Sequence, residues 1–160
     1  MRIRTIGYLA KTREEIAAAF EKNRLEELLH LEGEYIIVIE DEKRTVVVSS
    51  YYGICQYFYA KIGSNFYHGE TVFEVLQKSG LKWKYNFSAL ADLACLEHVL
   101  GDDTLHPDIR RVPAATILIH SNGTLTRKSL SWAEIHRGEN RPPKKLWRDL
   151  TPVAGAGLAM

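Results

Sequence analysis

"EYIIVIEDEKRTVVVSS", Glu34 to Ser50, holds two runs of β-branched residues around a four-residue charged turn, Asp41 to Arg44. Continuous runs of this kind read as strands buried on both faces, in the middle of a layered fold. The polar "DEKR" between them predicts a hairpin. The runs on either side decide what surrounds that hairpin. Downstream, "ICQYFYAKI" predicts a third strand, "SN" a turn and "FYHGE" a short fourth, so an antiparallel meander is expected from Arg44 onward. Upstream, "RIRTIGYLA" (Arg2 to Ala10) is β-prone and predicts a first strand rather than a leader peptide. Thr12 then precedes "REEIAAAFEKNRLEELL". Thr12 with Glu15 three residues on is a capping-box signature. Ile16, Phe20, Leu25, Leu28 and Leu29 predict one helix ending near His30, with Gly33 as the break.

The second half alternates in the same way. "ETVFEVLQKSG" (Glu70 to Gly80) predicts a helical turn or two with a glycine stop. Ser88 is the expected N-cap of "ALADLACLEHVL", with Asp92 in its first turn and Gly101 as its stop. "TILIHSNGTLTRKSLSW" predicts a hairpin around Asn122-Gly123, the dipeptide favoured in type I′ turns. After Trp132 the pattern dissolves into the proline-rich "GENRPPKK" and the small apolar "PVAGAGLAM". The expected organisation is one domain over 1–136 and a linker or tail over 137–160. Strands outnumber helices and the helices come in separate blocks, which predicts an α+β fold with mainly antiparallel sheets.

Charge and composition exclude more than they select. The 160 residues carry 21 basic and 20 acidic side chains, a formal charge of +1, so no field favours nucleic acid or an acidic membrane surface. The local cluster Arg137, Arg141, Lys144, Lys145 and Arg148 is interrupted by prolines and reads as solvated linker. No run reaches the roughly 18 apolar residues of a membrane span. The two cysteines, Cys55 and Cys95, have neither metal-finger nor disulfide-framework spacing, which predicts a reducing, cytoplasmic setting.

Candidate chemistry is sparse. Cys55, placed by the pattern in a strand beside Ile54, Tyr57 and Phe58, has no basic neighbour before Lys61 to lower its pKa, so a structural role is the expected one. Cys95 falls at a core-like helical position. The six histidines (His30, His68, His98, His106, His120, His136) form no metal-binding pair. His68 with Glu70 reaching Cys55 across the meander would make a Cys/His dyad. The aromatic run Tyr51, Tyr52, Tyr57, Phe58 and Tyr59 lacks interleaved cations and reads as sheet packing. No glycine-rich phosphate loop is present.

The order of segments resembles a class II glutamine amidotransferase domain of the kind found in asparagine synthetases. In "LEGEYIIVIEDEKRTVVVSSYYGICQYFY", Leu31, Gly33, Tyr35 and Asp41 match the family's L-x-G-x-F opening and its Asp. Gly53, Phe58 and Tyr59 match its later R-D-x-x-G-x-x-P-L-Y-Y motif. "FYHGETVFEVL" resembles F-A-S-E-I-K-A-L, with Glu70 on the Glu. Thr104, Leu105, Ile109, Arg111 and Pro113 keep the spacing of the closing section, so the resemblance runs from Leu31 to Trp132. It implies a layered α/β/β/α N-terminal-nucleophile sandwich, shortened at the N-terminal side.

The departures imply lost chemistry. The family's nucleophile is an N-terminal cysteine, and this chain begins Met1-Arg2. On "TIGYLAKTREEI", taken as the remnant of the N-G-E-x-Y-N strand, Gly7 survives and Ile6 replaces the oxyanion asparagine. An isoleucine donates no hydrogen bond to an oxyanion. Ser49-Ser50 replace the Arg-Asp pair, and Gln56 the proline. Gly7, Ser49, Ser50, Gly53 and Glu70 are then remnants of a glutamine pocket. The resemblance implies a glutaminase-dead domain like those of β-lactam synthetases and lasso-peptide cyclases. Such a domain would brace or regulate an ATP-pyrophosphatase-type synthetase module, which would bring ATP and Mg and act on a peptide or amino acid. No cofactor is expected in this chain, and uncovered sheet faces predict a homo-oligomer. Two alternatives stay open: a working amidotransferase or hydrolase using Cys55, and a small-molecule or peptide-binding module in the old pocket.

Overall fold

A computed structural model describes residues 1–130, with one compact unit over Met1–Ser129. Its elements are β1 (Arg2–Leu9), α1 (Arg13–Glu21), a 3₁₀ helix (Leu25–His30), β2 (Gly33–Glu40), β3 (Arg44–Ser49), β4 (Phe58–Ile62), β5 (Asn65–Gly69), α2 (Val72–Ser79), α3 (Phe87–Leu96), β6 (Arg110–Arg111), β7 (Thr116–Ser121) and β8 (Thr124–Ser129). The strands form a five-stranded sheet, β1-β2-β3-β7-β8, and a three-stranded sheet, β5-β4-β6. Every pairing in both is antiparallel, and the fold is α+β.

Local chemistry explains most boundaries. Asp41 Oδ1 accepts from the backbone N–H of both Lys43 and Arg44 at 2.7 Å, an Asx turn that closes the β2–β3 hairpin. Asn122 and Gly123 take φ of 49° and 73°, as a type I′ turn requires. The Thr12–Glu15 capping box opens α1. Thr71 caps α2, and Gly80 ends it at φ 68°.

Five expectations need correction. The helix after Thr12 stops at Glu21 rather than running to His30, because Asn23 turns left-handed at φ 54°. Arg44 braces that break, donating to Asn23 Oδ1 and to the Phe20 carbonyl, which also accepts from Asn23 N at 3.1 Å. Asn86 caps α3 in place of Ser88, and Glu97 (φ 61°) ends it in place of Gly101. Asp92 falls past the first turn and accepts from Leu100 N. Finally, residues 50–57 are not strand, so the meander is broken and Cys55 lies in a loop. That loop carries the chain from one sheet to the other. It is tied at both ends: Ser50 N donates to Tyr35 O, Ala115 N to Ser50 O and Val112 N to Tyr57 O. Trp132 and the 137–160 tail lie outside the described residues.

The two-sided burial predicted for β2 and β3 follows from strand alternation. Ile36, Val38, Val47 and Leu118 meet Tyr57, Val112, Tyr59 and Phe66 between the sheets. The other face of the large sheet, with Ile37, Ile39, Val46, Val48 and Ile117, is equally buried. The 3₁₀ helix lies against β3 and β7 on that side, and Tyr35 Oη donates to Leu28 O at 2.5 Å. On the small sheet, Val75 and Leu76 of α2 pack with Ala60 of β4 and Ile109.

Candidate functional site

Three of the expected pocket remnants converge on one corner, where β1, the start of β2 and the 50–57 loop meet. Gly7 has φ 86°, and a Cβ there would stand 2.2 Å from Glu34 O and 2.7 Å from Cys55 Sγ. Glycine is therefore required twice, for its backbone angle and for the contact. Cys55 Sγ donates to Glu34 O at 3.5 Å. Ser50 Oγ donates to Glu34 Oε2 at 2.7 Å, and Ile54 N reaches the same oxygen at 3.4 Å. Glu34 Oε1 is buried with no protein partner among the described residues. Gly53, at φ 63°, carries the loop past Ala114, which a Cβ would meet at 2.8 Å.

The other two remnants lie elsewhere. Ser49 Oγ donates to Pro113 O and accepts from Thr116 N at 3.1 Å, a strap between the end of β3 and the start of β7. Glu70, just past β5, pairs with Arg4 of β1 at 3.5 Å.

Cys55 is not set up as a nucleophile. Burial pushes its thiol pKa up, and the Glu34 carboxylate pushes it further the same way. A thiol kept protonated attacks poorly. His68 does not reach it as a base, because both ring nitrogens are engaged elsewhere. Nδ1 is bonded to Tyr57 Oη at 2.9 Å and Nε2 lies 3.2 Å from Glu40 Oε1. Arg4 donates to the same phenol at 2.5 Å. The result is a continuous chain from Glu40 through His68, Tyr57 and Arg4 to Glu70, running from the large sheet to the small one. Burial lowers the His68 pKa against the opposing pull of Glu40, so the ring is neutral at pH 7. Burial also pushes the Tyr57 phenol up to about 12. Tyr57 is fully buried, so it orders the interior and is closed to substrate.

Sequence reasoning missed Glu34, Glu40, Arg4 and the polar role of Tyr57. No local signal marks them, since Arg4 and Tyr57 are 53 positions apart. The remaining buried histidine, His106, is satisfied by Lys82 O at 3.1 Å and Asp108 N at 3.2 Å. Cys95 is exposed on α3, not in the core, and both cysteines are free. Among the described residues no three or more His, Cys, Asp or Glu are grouped to hold a metal ion. None of the described helices is long and apolar enough to cross a membrane. Neither the known family models nor the curated proteins contain a match to this chain.

Proposed function

We propose that the unit is a glutamine-amidotransferase-like domain of the asparagine-synthetase type that no longer hydrolyses glutamine, and that it braces or regulates an amide-forming synthetase module. Several features support this reading. Two antiparallel sheets pack face to face, with the 3₁₀ helix outside one and α2 outside the other, as in an α/β/β/α N-terminal-nucleophile sandwich. Gly7, Gly53 and Ser50, the last standing where the family has its Asp, are the remnant glutamine-pocket positions that fall around one corner.

The observation that carries the loss of activity is the separation of nucleophile from base. The Cys55 thiol and the Glu34 carbonyl fill the space over Gly7, while His68, which a Cys/His dyad would need as its base, is held by Tyr57 and Glu40. ATP and Mg belong to the synthetase module, and the amide would form there on a peptide or amino-acid carboxylate. The domain works in the cytoplasm on this reading, and its uncovered surfaces meet that module or a second copy.

The test is ammonia release from glutamine, followed for the wild type and for Cys55→Ala. Equal, background-level rates are expected. Turnover that disappears with Cys55→Ala would sink the proposal.

A further inference from the structure

The open edge of the five-stranded sheet carries an inference independent of the amidotransferase reading. Strand β1 pairs with β2 on one side only. Its hydrogen-bonding phase can be read from its ends. Ala10 N donates to Glu32 O, and Tyr35 O is committed to Ser50 N on the β3 side. The even residues of β1 therefore face β2, and Ile3, Thr5 and Gly7 turn their N–H and C=O groups to the open edge. Thr5 and Gly7 are exposed, and the Ile3 carbonyl already accepts from the Arg13 guanidinium.

Beside this edge lies a cleft of about 590 Å3 between β1 and the start of α1. Arg2, Arg4, Lys11 and Arg13 line it, and among the described residues no Asp or Glu does. Lys11 is paired with Glu15 at 2.6 Å and Arg4 with Glu70, but neither Arg2 nor Arg13 has a carboxylate partner among the described ion pairs. Glu14 lines the adjoining hollow, together with Met1, Ala17 and the same Arg2 and Arg13.

We propose that this edge and cleft bind an acidic peptide in extended conformation, added to the sheet as a strand against β1. Backbone groups of Thr5 and Gly7 supply the ladder, and Arg2 and Arg13, the two cations outside the described ion pairs, select carboxylate side chains. Charge also decides against a second copy. Antiparallel pairing of two β1 strands would bring Arg2, Arg4 and Arg13 of both copies into one groove, and like charges at that range repel. Charged edge residues do protect sheets from unwanted pairing. Here they also line a concave space whose described lining includes no Asp or Glu, which protection alone does not require.

The probe is a fluorescein-labelled alternating Glu-Thr octapeptide, titrated by anisotropy against the full chain. Its controls are the Lys-Thr analogue and a Glu-Thr peptide N-methylated at alternate residues. Saturable binding of the first peptide alone is expected, weakening as salt is raised. Thr5→Pro removes one open-edge N–H without touching the β1–β2 ladder, and should weaken binding about fivefold to tenfold, the worth of a backbone hydrogen bond or so. Arg2→Glu should weaken it further. Equal binding of the N-methylated peptide would reduce the effect to charge and overturn the proposal, as would equal binding of the Lys-Thr peptide or none of either. A sedimenting dimer that Thr5→Pro dissociates would assign the edge to a second copy and overturn it too. The peptide controls use the wild type, so they decide the matter even where a variant fails to fold.

Discussion

Two polar networks border the same inter-sheet core, and they are built differently. At the Gly7 corner, a thiol, a hydroxyl and a carboxylate sit within one short loop and two adjacent strands. In the chain from Glu40 to Glu70, five side chains come from four separate stretches of the sequence, His68 and Glu70 sharing one. The corner holds the candidate nucleophile without a base. The chain holds the imidazole with both nitrogens occupied. A nucleophile and a base that never touch cannot activate one another, however reactive each residue type is in isolation.

The comparison can be broken at several points. Gly7→Ala should have the largest effect. It forces a left-handed angle on alanine and drives a methyl into the Glu34 carbonyl, which is backbone and cannot move aside. A loss of about 2–5 kcal/mol is expected in chemical denaturation. The double variant with Cys55→Gly should recover little of it, because the carbonyl is the harder obstacle.

Tyr57→Phe comes next. It leaves His68 Nδ1 and one Arg4 N–H without their phenol, at about 1–3 kcal/mol. A loss of that size or larger confirms the chain as structural cement. No loss would mean that water replaces the hydroxyl freely.

The pH dependence follows from His68. Burial lowers its folded-state pKa below the ordinary value of 6.5. The unfolded chain then binds the proton more readily, so the stabilisation is complete above pH 6.5 and is lost as pH falls through the folded value. The melting temperature should fall as pH is lowered below the ordinary value of 6.5, and His68→Gln should flatten that part of the profile. An unchanged slope in His68→Gln would assign the acid sensitivity to other groups.

Cys55 should give the smallest effect. Cys55→Ala is expected to cost about 1 kcal/mol or less, for one heavy atom in a half-buried site. In a thiol-labelling time course at about pH 8, exposed Cys95 should react first and Cys55 slowly, because burial and Glu34 hold its thiol protonated. Faster labelling at Cys55 would reverse the reading of the corner.

Much of this molecule is local, and local features were legible. Burial on both faces of β2 and β3, the Asp41 turn, the Asn122-Gly123 turn and the capping box on α1 each depend on residues within a few positions of one another. So does the antiparallel α+β class that they add up to. The crossing at 50–57 was not legible. Its aromatic residues have strand propensity, yet its ends bond to Tyr35, Val112 and Ala115, and those partners carry it off one sheet and onto the other. The helix break at Asn23 was missed for a related reason. The apolar spacing continues to Leu29, while the stop depends on Arg44, 21 positions away.

The candidate site divides along the same line. The amino-acid sequence alone determined which residue types were available: two thiols, no phosphate loop, and small residues at Gly7, Ser49, Ser50 and Gly53. Only the tertiary structure decided that Cys55 rests on Gly7, that Ser50 serves Glu34, and that His68 belongs to Tyr57 and Glu40. Side-chain types and turn chemistry act over a few residues, whereas hydrogen-bond partners and burial are set when distant strands are brought into register.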